Sequence, residues 1–290
     1  MKILRIYVVL FMTSVTLTAF GQEKQSSVLI KNANVFDGVN EKLQQGVYVL
    51  IEGNLVKEIG KDLSAGNDAV VIDAGGKALI PGLIDAHWHT TYAYIPAAVL
   101  LANQGDMPEV AIRSMTGAKE TLLRGFTTVR DPGGNPFAIK KLIDAGEYPG
   151  HRILPSGPFM SPTTGHADHY GILETPRDKR TMNYWERNMM SMTSDGVDEV
   201  RLRTRDILKY GATQIKITTG GGVSSEFDSL DVSEYSVDEI KAVVEEANNY
   251  NTYVLSHVMT DKGVRTSVEA GVMCIEHGFF ASDETLELMK

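Results

Sequence analysis

At 290 residues, 43% of them hydrophobic, the chain holds material for one large domain or two smaller ones. A formal charge of −9 excludes a general nucleic-acid binder, which carries a basic footprint. No internal repeat or low-complexity tract interrupts the sequence.

The first segment, MKILRIYVVLFMTSVTLTAFGQ, places Lys2 and Arg5 before an apolar run that reaches Phe20 and Gly21. That is the three-part pattern of a secretory signal, and residues 1–21 are read as one, cleaved after Gly21. Loss of its two cationic side chains takes the charge from −9 to −11. The run is short and diluted with Thr and Ser, which argues against a stable membrane anchor, and no other segment is long enough to span a bilayer. The expectation is an exported protein, periplasmic or extracellular. Its one cysteine, Cys274, allows no intramolecular disulfide, and within VMCIEHG it reads as a small buried hydrophobe.

Residues 22–79 read as a small N-terminal β-sheet domain, the β-sandwich part of the molecule. SSVLIKNANVFDG, GVYVLIEGN, LVKEIG and AVVIDAGGKALI alternate apolar residues and break at Asp-Gly, Gly-Asn and Gly-Gly, as antiparallel strands do. After Pro81 the rhythm becomes strand, loop, helix, which implies parallel βαβ units. Six strands are expected near 80–87, 126–131, 151–157, 213–218, 252–258 and 272–277. The helices between them include VAIRSMTGAKETLLRG, GVDEVRLRTRDILKYG, SVDEIKAVVEEANNY and KGVRTSVEAG. Ser236 and Glu239 have the spacing of a capping box. A long insertion, 161–193, follows the third strand. Its Met-rich stretch NMMSMT reads as a flexible apolar surface. The fold class expected for 80–290 is α/β: an incomplete (β/α)8 TIM-type barrel with six βα units.

Four of the seven histidines and one lysine stand at the ends of these apolar strands: His87 and His89 in ALIPGLIDAHWH, Lys216 in ATQIKITTGGG, His257 in TYVLSHV and His277 in VMCIEHG. Residues two apart on a strand share a face, so His87 and His89 can grip one ion. Parallel strands closing into a barrel bring their C-terminal ends to one mouth. A His-x-His pair alone is a weak signal; the conjunction carries the reading of a metal site, with two metals expected. Lys216 in an apolar strand is costly to bury unless paired or modified, a structural salt bridge being the alternative.

PGLIDAHWH, GFTTVRDPGG, RILPSGP, GATQIKITTGGG and AGVMCIEHG, in this order, resemble the amidohydrolase superfamily, in particular its secreted Xaa-Pro dipeptidase-like and imidazolonepropionase-like branch. The resemblance implies two divalent metal ions, zinc being the expected one. It places one on His87 and His89 and the other on His257 and His277, with a carboxylated Lys216 bridging them. It further implies hydrolysis of C–N bonds in a dipeptide or cyclic amide by a metal-activated hydroxide. A lactonase or deacetylase on the same scaffold is an alternative, as is a catalytically inactive metal-binding protein.

The same resemblance places a catalytic aspartate on an eighth strand, and no residue here corresponds to it, so the catalytic residue stays unassigned. The expectation is a C-terminally truncated barrel: a fragment, a prematurely stopped gene, or a chain completed by a missing C-terminal segment or a homo-oligomeric partner. Asp131 reads as loop-stabilising and His151 as structural, on the far side of the barrel. His166, His169 and Tyr170, in SPTTGHADHYG, are candidate substrate-binding residues, with loop hydrogen bonding as the alternative. Gly220, Gly221 and Gly222 lack the Lys-Ser/Thr ending of a phosphate loop and read as a close backbone approach near the metals.

Overall fold

A computed structural model describes residues 27–96, 99–100, 105–175, 178 and 181–290. The leader expected at 1–21 lies outside the described residues. The chain divides into two compact units between Pro81 and Gly82.

The first unit is a single mixed sheet among the described residues. Its strands are β1 (Ser27–Val35), β2 (Gln44–Glu52), β3 (Leu55–Gly60), β4 (Val70–Asp73) and β5 (Ala78–Leu79). The first three run antiparallel in the order β3-β2-β1. The β2–β3 hairpin turns on Gly53, whose φ of 61° is the left-handed geometry that tight hairpins need. β4 and β5 both add parallel to β1 along its length, so the antiparallel expectation holds for three strands of five. Alternation drives Ala33, Val35, Val47 and Val49 into one small core, with Ile30, Ile51, Ala74 and Leu79 packed on it.

The second unit has the α/β fold with parallel sheets. It comprises β6 (Leu83–Asp85), α1 (Met107–Leu123), β7 (Phe126–Asp131), α2 (Phe137–Asp144), β8 (Arg152–Pro155), β9 (Phe159–Ser161), α3 (Tyr184–Arg187), β10 (Ser191–Thr193), α4 (Val197–Tyr210), β11 (Ile215–Thr218), α5 (Val237–Asn249), β12 (Val254–Thr260), α6 (Asp261–Glu269), β13 (Cys274–Phe280) and α7 (Asp283–Leu288). One parallel sheet has the order β6-β7-β8; the other runs β10-β9-β11-β12-β13. Each of the six expected strands is present.

β9 and β10, three residues each, flank the insertion and were not expected; β9 pairs with β11 through Met160 and Ile217. The Met-rich stretch is also corrected. Met190 packs with Ile95, Val110 and Trp185, and Met192 joins the main core. Neither is a surface residue, because β10 draws the run into the sheet. Among the described residues no helix is long and apolar enough to cross a membrane.

Period-two alternation in β11 decides where the site lies. Ile215 and Ile217 are fully buried with Val200, Ile207, Ile240 and Val243 of α4 and α5. Lys216 and Thr218, the intervening residues, line a cavity on the other face. Burying each isoleucine contributes roughly 1.5–3 kcal/mol. The capping box at Ser236 starts α5: Ser236 Oγ accepts from the Glu239 N–H, and Glu239 accepts from the Ser236 N–H at 2.7 Å.

Helices α4 and α5 are braced by Glu246, which is buried and accepts from Arg205 (2.6 and 2.9 Å) and Arg201 (2.9 Å). Hydrogen bonds from Arg205, and after them those from Arg201, hold its carboxyl below the ordinary 4.5, against the opposing effect of burial. The unfolded chain therefore binds more protons than the folded one as pH falls below 4.5. This contribution to stability is complete at neutral pH and is lost as pH falls through the folded value. Glu246→Gln is expected to flatten the dependence of the urea midpoint on pH below 4.5; identical acid limbs in the two proteins would contradict the brace.

Candidate metal centre

A cavity of about 480 Å³ opens among His87, His89, Lys216, His257 and His277, with His166, Tyr92, Phe159 and Met259 also on its wall. The five expected ligand residues thus converge. β6 ends at Asp85, so His87 and His89 sit on the bend beyond it rather than on the strand itself. Asp85 fastens that bend by accepting from the His87 N–H at 2.9 Å, and the buried Asp131 accepts from the Thr90 N–H at 2.9 Å. His151 lies closer to this bend than expected: its ring sits 3.3 Å from the Thr90 hydroxyl.

Ring centroids separate His87 from His89 by 5.2 Å, His87 from His277 by 5.0 Å, and His257 from His277 by 4.6 Å. Burial, reinforced by the Lys216 charge, lowers His89 to about 3. Burial, then His166 and Lys216, lowers His257 to about 2; burial and His87 lower His277 to about 4. These imidazoles are neutral near pH 7, the form that ligates metals.

Three of the four cavity histidines have one ring nitrogen against an oxygen. His87 Nδ1 meets the Glu276 carboxylate, His89 Nδ1 lies 3.4 Å from the Gly133 carbonyl, and His257 Nε2 lies 3.3 Å from the Gly221 carbonyl. A ring that donates through one nitrogen keeps its lone pair on the other.

Lys216 is 3% exposed, and burial lowers its amine to about 8 despite the nearby Glu276. That shift corresponds to about 3 kcal/mol against the charged form, comparable with what one flanking isoleucine contributes. The strand can hold the amine, but only with a substantial neutral fraction at mildly alkaline pH.

By donor type and ring orientation the set fits divalent metals. Among the described residues, however, no group of three His, Cys, Asp or Glu side chains is placed to hold an ion, so the ligands surround the cavity without closing on a point.

The candidate substrate residues separate. His166 reaches the cavity and stacks on His257 at 4.0 Å, with its Nδ1 2.8 Å from Ser225 Oγ and 3.1 Å from Asp228. His169 and Tyr170 line a neighbouring cavity of about 580 Å³ with Trp185 and Asp168 instead. The Tyr170 hydroxyl donates to Glu186 at 2.5 Å, which holds it within the insertion.

Two further groups bear on the site. Glu276 contacts His87, and Arg130 contacts Glu276 and donates to the Ala86 carbonyl at 2.7 Å. Their sequence signal is a charged residue inside an apolar strand, Glu276 in VMCIEHG and Arg130 in FTTVRD. Cys274 is half-buried, with its Sγ 3.1 Å from Arg130 and 3.2 Å from Glu276, not in the apolar surroundings expected of it.

Parallel strands delivering side chains from their carboxyl ends into one cavity define an α/β scaffold of the barrel-enzyme kind. The amidohydrolase family model matches residues 78–289, and the chain belongs to the amidohydrolase family. Ochratoxinase of Aspergillus niger is 32% identical over 227 residues, spanning 73% of this chain and 45% of that protein. A prolidase solved with N-methylphosphonate-L-proline superposes with a TM-score of 0.80 at 34% identity, over 91% of this chain and 64% of that one. A Xaa-Pro dipeptidase with methionine bound in its active site gives 0.75 at 31% identity, over the same shares. The chain therefore spans about half the length of the curated relatives it matches and under two thirds of these solved chains. Amidohydrolases generally use divalent metals.

The glycine run makes one testable point. A Cβ on Gly222 would fall 2.0 Å from His166 Cε1. Gly222→Ala is expected to swing the His166 ring off His257 while the urea midpoint changes little. A crystal structure of the variant with the stacked pair unmoved would contradict the close approach.

Proposed function

We propose that this chain carries the metal-binding part of a hydrolase acting on C–N bonds of small peptides or cyclic amides. The observation that carries the reading is the convergence of His87, His89, His257 and His277 around the buried amine of Lys216 in one cavity. The names of the relatives support the bond type: an ochratoxinase, a prolidase and a Xaa-Pro dipeptidase. His87 and His89 would hold one ion and His257 and His277 the second, with carboxylated Lys216 between them. Bound divalent metals, zinc above all, lower the pKa of a coordinated water and polarise a carbonyl.

The chain's own groups do the rest. Tyr92, Phe159, Val223 and Met259 form an apolar wall that keeps bulk water from the scissile group. His166, oriented through Nδ1 by Asp228 and Ser225, leaves Nε2 to hydrogen-bond a substrate oxygen. The scaffold proposed for 82–290 is the six-unit part of a (β/α)8 barrel. β6 pairs only with β7 and β13 only with β12 among the described residues, and Leu83, Ile84, Phe279 and Phe280 on these strands are exposed.

A second reading, an inactive metal-binding scaffold, draws on the open arrangement of the ligands. Metal analysis together with an assay on a panel of Xaa-Pro dipeptides, cyclic amides and lactones separates the two. The wild-type chain is expected to hold about two divalent ions, whereas Lys216→Ala loses the pair. Unchanged metal content in Lys216→Ala would overturn the bridging role of the lysine, and a loaded chain without turnover would favour the inactive scaffold.

A further inference from the structure

Glu276 occupies a position that the backbone has been bent to create. Its register partner on β12 is His257, and laterally paired residues of parallel strands point to the same face. Glu276 is therefore the regular inward residue of β13, and strict alternation would send His277 outward. His277 instead adopts a φ of +73°, rare for a residue with a side chain, and the next residue, Gly278, is also left-handed at +59°. The bend breaks the alternation, so that consecutive residues reach the same group: the Glu276 carboxylate meets His87 Nδ1, and the His277 ring lies 5.0 Å from the His87 ring. A non-glycine residue held at positive φ is strained and persists where its surroundings over-determine it.

Glu276 is itself held from the other side. One of its oxygens takes Arg130 and, at 3.2 Å, the Cys274 thiol, while the other faces His87. Arg130, from β7, also donates through Nε to the Ala86 carbonyl at 2.7 Å, one residue before His87. The network thus fixes both the backbone leading into His87 and the ring itself. It joins the ends of β6 and β7, in one sheet, to β13, in the other.

We propose that Glu276 is a positioning residue: braced by Arg130, it holds His87 as the Nδ1–H tautomer, so that the Nε2 lone pair faces the cavity as a ligand for a divalent cation. The proposal rests on the reading of the cavity as a metal centre. Glu276 is not on the cavity wall, and the role proposed for it runs through His87. The remaining histidines contrast with His87 in this respect: His89 and His257 have backbone carbonyls against their second nitrogen. His87 alone of these three has a carboxylate there, with a charge-assisted hydrogen bond of the stronger kind.

The test uses the full chain in two states. In metal-free protein, long-range ¹⁵N–¹H spectra read the tautomer of His87. In zinc-loaded protein, competition with a chelator reads affinity. The wild type is expected to show His87 as the Nδ1–H form, and Glu276→Ala to show a mixture of tautomers with zinc affinity lowered roughly 10- to 100-fold. Glu276→Gln, which keeps an acceptor oxygen at the same reach, should fall between the two; it also serves if the alanine variant does not fold.

An unchanged tautomer in both variants, or zinc affinity within about twofold of wild type, overturns the positioning role. A wild-type chain that takes up no zinc overturns the metal reading and with it this role, and the tautomer measurement still tells that failure apart from an absent Glu276–His87 contact.

Discussion

The site depends on one constraint: a lysine amine has to be accommodated inside a strand whose neighbouring residues belong to the core. β11 meets it by alternation. Ile215 and Ile217 anchor the strand on α4 and α5, and Lys216 is driven to the opposite face among the imidazoles. Burial weakens the ammonium to a pKa of about 8, and burial likewise keeps His89 and His257 neutral. Lys216 and the histidines therefore prepare one another. Burying this amine is costly, and the isoleucines on the other face of the strand help to offset that cost.

Around this centre, backbone positions are set mostly by groups that do not line the cavity. Asp131 and Asp85 pin the bend that carries His87 and His89; Gly222 lets the chain pass against His166; a left-handed His277 turns β13 inward. The cavity wall combines apolar side chains with imidazoles.

Much of this was legible in the sequence because it is written in periods and spacings. Six strands with helices between them, the Ser236–Glu239 cap, and the convergence of His87, His89, Lys216, His257 and His277 follow from apolar runs ending in nitrogen side chains. What escaped lacks a local signature. β9 and β10 are three residues long, too short for any period; β11 offers β9 an edge, and β9 offers one to β10. Met190 and Met192 look like surface until that pairing buries them. Tyr170 and His169 share a loop with His166 but turn to a neighbouring cavity, because Glu186 within the insertion takes the tyrosine hydroxyl. Glu276 and Arg130 are 146 residues apart, and only the approach of β7 to β13 explains why each charge is tolerated in its strand.

The central claim is that these five side chains form a centre for two divalent ions. Anomalous diffraction from crystals of the zinc-loaded chain, recorded on both sides of the zinc edge, tests it most directly. The account predicts two peaks inside the cavity, one against His87 and His89 and one against His257 and His277, with density for a carboxylated Lys216 between them. Peaks only at surface sites, or an unmodified Lys216 amine in a cavity without anomalous signal, would contradict it.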